Sequence, residues 1–300
     1  MRGIAGSRVR LAYELHKESG HNKPTRQADR APPILFLHGF LGSKRENRQV
    51  SKKLARDLSR DVYALDLRNH GDSDHHPSHD YSEMASDVES FMNQHKLGPA
   101  TLIGHSMGAK AALTLALHSP SQVAHVIAVD NAPIKQPVGP EFSRYLESMA
   151  EVERKSVQTH ADADEIFRHR KLEAPIRLWL LSNFVQEKNS RALKSRVPLD
   201  ILQQAIEPLG DFPYCPGTTK YQGPSLFLRA LQSQFIPQNA LPQILELFPR
   251  SEVVNLDCGH WIVQERPQEF QKALIPRGAL DTPLAHQGST VPAEHDKKRD

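Results

Sequence analysis

"TLIGHSMGAKAAL", residues 101–113, sets Ser106 between Gly104 and Gly108. A Gly-x-Ser-x-Gly pattern taken alone proves little, because chance can supply it. Its setting carries the information. Residues 100–103 are a short apolar run that reads as a strand, and residues 109–118 are Ala- and Leu-rich at helical length. The serine therefore falls on a sharp turn from strand to helix, where a side chain at either glycine would clash. The hydroxyl would stand clear of the sheet's carboxyl edge. The backbone N–H groups behind it lie at a helix N-terminus, a favourable place for developing negative charge. The bland alternative is a tight turn with an incidental serine.

Working outward, "ILFLHGF" (34–40) is apolar on both faces and predicts a strand buried in mid-sheet. Val50, Leu54 and Leu58 recur at helical spacing across 49–59. "DVYALDL" (61–67) predicts the next strand and empties into the polar turn "RNHGDSDHH" (68–76). A helix over 81–95 and a strand at "HVIAVD" (125–130) flank the serine's own strand and helix. Alternation resumes with "SLFLRA" (225–230), a helix near 241–248, "EVVNLDCGH" (252–260) and a last helix at 267–274. Strands alternating with helices imply right-handed crossovers and a mostly parallel central sheet flanked by helices. Val9, Leu11, Tyr13 and Leu15 alternate with other residues and suggest a first strand.

Residues 134–221 break that rhythm. They are amphipathic and helical at 141–154, 163–169 and 199–207, and leave through a Pro- and Gly-rich stretch at 212–217. The expected organisation is a core of residues 1–133 and 222–275, with a helical lid of residues 134–221 inserted before the last strands. Residues 276–300 have no periodicity and read as a disordered tail.

Composition narrows the function classes. Lys and Arg exceed Asp and Glu by 38 − 35 = 3, and the basic residues are scattered, which excludes a nucleic-acid footprint. The two cysteines, Cys215 and Cys258, do not make a disulfide framework. The apolar runs are too short to cross a bilayer. Three arginines within the first ten residues hint at a mitochondrial presequence, although the early strand leaves it little room, so a cytoplasmic location is the alternative.

A serine hydroxyl needs a base. His260 follows the last predicted strand in "DCGHW" (257–261), where a carboxyl-edge loop reaches back over Ser106. In the commonest version of this arrangement the acid follows the strand after the lid. Here residues 229–245 contain no Asp or Glu. Asp130 lies 130 − 106 = 24 residues past the serine, one strand over at the same edge, and is assigned to orient His260. Its alternative role is to cap the turn with Asn131 and Pro133. Ser233 occupies the usual acid position and could hydrogen-bond Asp130 or the histidine. Asp257 is too near His260 in sequence to approach it from behind. The backbone N–H groups of Phe40 and Met107 are the expected oxyanion donors, with His38 and Gly39 permitting close approach. His105 should point to the opposite side of the turn and support it. His70, His75, His76 and His79 tempt a metal reading, but no Cys or His-Glu-x-x-His accompanies them, so a solvated loop is expected. The pattern requires no metal and no organic cofactor.

The ordered set HGF (38–40), DLRNHGDS (66–73), GHSMG (104–108), VDNAP (129–133) and DCGHW (257–261) resembles the α/β-hydrolases across nearly the whole chain. Within them it is similar to a small group: YbfF-type esterases, abhydrolase domain-containing protein 11 and the fungal mitochondrial ethanol acetyltransferases. The resemblance implies an aspartate at the end of this same strand, matching Asp130, and often a serine in the later loop, matching Ser233. It also points to mitochondria. The expected activity is hydrolysis of short-chain carboxylic esters or thioesters through an acyl-enzyme, with a small ester or an acyl-CoA as partner. An alcohol O-acetyltransferase is the second reading, and a non-catalytic binding protein on the same fold is the third. The segment 171–200 matches the group in outline only, so the acyl group stays unassigned.

Overall fold

The computed structural model describes residues 9–17, 31–186 and 190–274. The chain runs through β1 (Tyr13–His16), β2 (Ile34–Leu37), α1 (Arg48–Asp57), β3 (Val62–Leu65), α2 (Tyr81–Gln94), β4 (Ala100–His105), α3 (Met107–His118) and β5 (Val123–Val129). The insertion then supplies α4 (Pro140–Arg154), α5 (His160–His169), α6 (Ala174–Leu181), β6 (Phe184–Gln186), β7 (Leu193–Ser195) and α7 (Leu199–Leu209). The core closes with β8 (Ser225–Ala230), α8 (Leu241–Leu247), β9 (Ser251–Leu256), α9 (Ile262–Glu265) and α10 (Pro267–Leu274).

Seven strands form one sheet in the order β1-β3-β2-β4-β5-β8-β9. All neighbours are parallel except β1, which pairs antiparallel with β3 at the edge. β2, β3 and β5 are buried at every position because helices cover both faces of the sheet. One apolar cluster joins Leu35, Leu37 and Leu102 to α2, α3 and the insertion. The other joins Ile34, Phe36, Ile103 and Ile127 to α1 and α10, with the Phe36 and Phe270 rings 6.3 Å apart. After β2 the chain adds β3 on one side and then β4 on the other. A crevice therefore opens outside the carboxyl ends of β2 and β4, where this kind of sheet binds its ligands.

The insertion is tied back onto the core. Tyr81 Oη donates to Leu209 O at 2.9 Å, and Asn183 Nδ2 donates to Leu41 O at 2.9 Å. Its helices fall where the sequence periodicity puts them, with two additions. α6 is apolar around most of its circumference and so carries no helical stripe. The three-residue strands β6 and β7 pair as a hairpin too short to show alternation. The tail expected at 276–300, and Arg2 and Arg8 of the presequence reading, lie outside the described residues.

The glycines around Ser106 are set by backbone contact. A Cβ on Gly104 would stand 2.1 Å from the Gly108 carbonyl oxygen, and one on Gly108 would stand 2.5 Å from Leu37 O. Neither obstacle is a side chain that could rotate away. Gly108→Ala should therefore destabilise the chain by about 2–3 kcal/mol in denaturant unfolding. Gly98→Ala, where a Cβ meets nothing within 4 Å, should stay within about 1 kcal/mol. Equal effects of the two would show that the close approach does not constrain the fold.

Candidate active site

Ser106 is only 7% exposed and adopts φ 53°, ψ −115°, a conformation that L-residues rarely hold. The turn is fixed from three sides. Ser106 N donates to Val129 O at 2.9 Å, the Ala109 N–H reaches Ser106 O at 3.0 Å, and Asn131 Nδ2 reaches the same carbonyl at 3.1 Å. Met107 opens α3, and Phe40 lies beside Ser106 on the loop after β2. Among the described residues neither backbone N–H has an acceptor within the chain. A Cβ on Gly39 would come 3.3 Å from Ser106 Cβ, so glycine lets that loop lie against the serine.

Asp130 sits at the end of β5, fully buried and with φ 50°. Its N–H donates to Leu228 O at 2.8 Å, and its Oδ1 accepts the Ala230 N–H at 3.1 Å, so β8 holds the residue at both ends. The remaining oxygen, Oδ2, lies 2.7 Å from His260 Nδ1. A carboxylate can only accept here, so Nδ1 carries the proton and Nε2 keeps its lone pair. Phe235 stacks on the imidazole with centroids 4.1 Å apart and planes 24° apart. The ring is thus held by a hydrogen bond at one edge and an aromatic face on one side.

Two expectations need correction here. Ser233 does not reach Asp130 or His260; its Oγ accepts the Phe235 N–H at 3.3 Å. The Ser233 hydroxyl is turned into the backbone of its own loop, and that loop presents the Phe235 ring to His260 instead. His105 does not point away from the site. Its Nε2–H donates to His260 O at 2.9 Å, its ring lies 4.8 Å from the His260 ring, and burial pushes its pKa down to about 3. Asp257 faces outward and accepts from Gln232 Nε2 at 3.0 Å.

The histidine-bearing loop is also not solvated throughout. His70 and His79 are buried, while His75 is exposed. His70 Nε2 accepts the Leu41 N–H at 3.0 Å, and its Nδ1 donates to Arg68 O at 2.9 Å. His38 does the same with Leu67 N (2.9 Å) and Gly39 O (2.7 Å). Each ring has both nitrogens occupied by backbone as a neutral tautomer, and burial holds both pKa values below the ordinary range. Among the described residues no group of His, Cys, Asp and Glu could hold a metal ion. Nearby, Asp66 is buried and accepts from Lys44 and from the Asp72 N–H at 2.8 Å, while Arg68 is buried between Asp87 (2.6 Å) and Glu83 (2.9 Å).

Ser106 opens onto two unequal chambers. The smaller, about 30 Å³, is lined by Met107, Lys110, Tyr81 and Leu209. Lys110 is buried there, donates to Asp211 O at 3.0 Å, and has its pKa pushed down to about 8 by desolvation. The larger, about 280 Å³, is lined by His260, Glu46, Tyr145, Trp179 and Trp261, with Phe40, Phe142 and Phe235 shared between the two. Lys110, Glu46 and Phe235 were invisible as site residues in the sequence, since each carries no motif; only Phe235, in the acid-free loop after β8, lay where a search could have found it.

A family model described as the alpha/beta hydrolase fold matches residues 32–267. An abhydrolase domain-containing protein of Schizosaccharomyces pombe is 38% identical over 89% of this chain and 96% of its own length. Ethanol acetyltransferase 1 of Cyberlindnera fabianii is 31% identical over 89% of this chain and 85% of its own. A solved structure of a marine microorganism esterase superposes with a TM-score of 0.79, at 26% identity, over 89% of this chain and 98% of its own. With the fold, the strained serine and these likenesses together, the chain belongs to the α/β-hydrolase family.

Proposed function

We propose that the chain is a serine hydrolase of short-chain carboxylic esters or thioesters, acting through an acyl-enzyme on Ser106. The observation that carries this reading is the 2.7 Å contact between Asp130 Oδ2 and His260 Nδ1 beside a strained, pocket-lining serine. Ser106 Oγ attacks the carbonyl carbon while His260 Nε2 takes its proton, and Asp130 stabilises the imidazolium. The N–H groups of Phe40 and Met107 receive the charge that forms on the carbonyl oxygen. The carbon–oxygen or carbon–sulfur bond then breaks, and the leaving group takes the proton back from His260. Water repeats the sequence in reverse roles and frees the acid.

The chambers support a short acyl group. The leaving atom must stand next to His260, which lines the larger chamber, so the alcohol or thiol portion belongs there. The acyl chain is left with the chamber of about 30 Å³, room for two or three water-sized groups. A second reading, an alcohol O-acetyltransferase, is favoured by the size and aromatic lining of the larger chamber, which can seat an alcohol in place of water. The likeness to an ethanol acetyltransferase supports it as well. Acetyl-CoA supplied with increasing ethanol decides: ethyl acetate rising as free acetate falls establishes transfer, and acetate alone at every ethanol concentration rejects it.

A fluorophosphonate probe should label the wild-type chain and leave Ser106→Ala unlabelled. Asp130→Asn should lower kcat by roughly 10³–10⁴-fold with folding retained, as expected when the histidine loses its orienting acceptor, whereas Ser233→Ala should change it by less than about twofold. Near-normal turnover of Asp130→Asn would refute the assignment.

Chain-length selectivity gives a second measurement. kcat/KM for p-nitrophenyl esters should fall at least about tenfold between butyryl and octanoyl, since several methylenes find no space to enter. Leu209→Ala should narrow that gap within a single preparation. An octanoyl preference in the wild type would remove the acyl assignment of the smaller chamber.

A further inference from the structure

The larger chamber is lined mostly by apolar and aromatic rings, with Glu46 as a polar exception next to the core. Glu46 sits on the turn between Leu41 and α1, directly after the loop that carries Phe40. Its Oε1 accepts the Trp179 Nε1–H at 3.1 Å, so the carboxyl bridges the core and α6 of the insertion. Oε2 lies against Gly42, where a Cβ would come within 2.8 Å. A carboxyl group offers about four lone-pair sites when ionised and a donor when protonated, and the Trp179 bond uses one of them.

We propose that Glu46 is a specificity-determining residue whose carboxyl hydrogen-bonds a free hydroxyl on the alcohol portion of the substrate. This rests on the reading that places the alcohol portion in the larger chamber. The class of substrate it selects is an acetyl or similar short-chain ester of a polyol, in preference to the ester of a simple alkanol. A site that offers a hydrogen bond to a substrate hydroxyl rejects the analogue lacking it, because the buried polar group is then left unpaired.

The environment fixes the carboxyl's state. Desolvation pushes its pKa up to about 8; the Trp179 bond opposes that shift and the negative charge of Asp66 adds to it. Lys44 is committed to Asp66 and Asp72. The other titratable groups facing the chamber are Glu141, Tyr145, His105 and His260, and His105 is held neutral by burial. Below about pH 8 Glu46 is therefore a neutral acid that can donate. Above it, the carboxyl ionises, and a substrate that expels water from the chamber must overcome the desolvation of that charge.

The test compares 2,3-dihydroxypropyl acetate with propyl acetate, which share acyl group and carbon count. Wild type should show a KM at least fivefold lower for the diol ester. Glu46→Leu should raise that KM about tenfold and bring the ratio of the two KM values to about one. Glu46→Gln, which keeps the size and an acceptor for Trp179, should retain the preference. In wild type both KM values should rise above pH 8, and in Glu46→Gln they should stay flat. Equal KM values for the two esters in wild type, or a Glu46→Leu effect shared equally by both, would overturn the proposal. A rise above pH 8 that persists in Glu46→Gln would assign it to Lys110 in the smaller chamber and equally overturn it. Loss of all hydrolysis of both esters by wild type would instead count against the hydrolase reading on which the proposal rests.

Discussion

The first turn of α3 lies so close to β2 and β4 that two backbone positions can carry no side chain. Gly108 rests over the carbonyls of Leu37 and His38, and Gly104 rests under the carbonyl of Gly108. That closeness leaves the chain no gentle route from β4 into α3, and Ser106 absorbs the turn at φ 53°. It also brings the N-terminal amides of α3 to the end of β2, where residues 38–40 begin. The position of Ser106, the amides around it and the crevice at the change of strand order are consequences of one packing constraint. Its cost is local strain, which cooperative burial of α3 between the sheet and α2 offsets.

Charge around this crevice is arranged to leave Asp130 and His260 without competitors. Arg68 is matched by Asp87 and Glu83, and Asp66 by Lys44, so these buried charges come in pairs. His38, His70 and His105 are kept neutral by burial, which outweighs the opposing pull of the backbone carbonyls to which they donate. Neutral imidazoles do not repel the imidazolium that the proposed mechanism forms on His260. They also act as rigid struts: His70 holds the Leu41 N–H while Asn183 holds the Leu41 carbonyl, so the loop bearing Phe40 is fixed from the core and from the insertion together.

Much of this was legible in the sequence, for identifiable reasons. Strands buried on both faces announce themselves as apolar runs: "SLFLRA" coincides with β8 residue for residue, and β2 takes the first four residues of "ILFLHGF". Asp130 was found by elimination, since the loop after β8 holds no acid. The buried state of His70 is not legible in its polar loop, because a histidine with both nitrogens bonded to backbone packs like an apolar ring. The orientation of His105 is likewise set by the His260 carbonyl, which returns from 155 residues away and leaves no mark on the local sequence. Ser233 follows the family pattern in position, while its hydroxyl is bonded to the Phe235 N–H of its own loop. Glu46, Trp179 and Phe235 meet from separate segments, and no spacing rule connects residues 46, 179 and 235.

The division of the cavity bears on what such a site can be made to do. In the proposed mechanism His260 protonates the departing group and later deprotonates whatever attacks the acyl-enzyme, so both events fall in the larger chamber that it lines. Leaving group and acceptor are then recognised by the same side chains, among them Tyr145 and Trp179 from the insertion and Trp261 beside the histidine. The proposed triad is indifferent to whether water or an alcohol arrives. Because water is abundant, an alcohol prevails only if those rings bind it and exclude water ahead of it. Changes confined to the α4 and α6 faces of the insertion can therefore move one scaffold between hydrolysis and transfer, while Ser106, Asp130 and the close-packed glycines beneath them stay as they are.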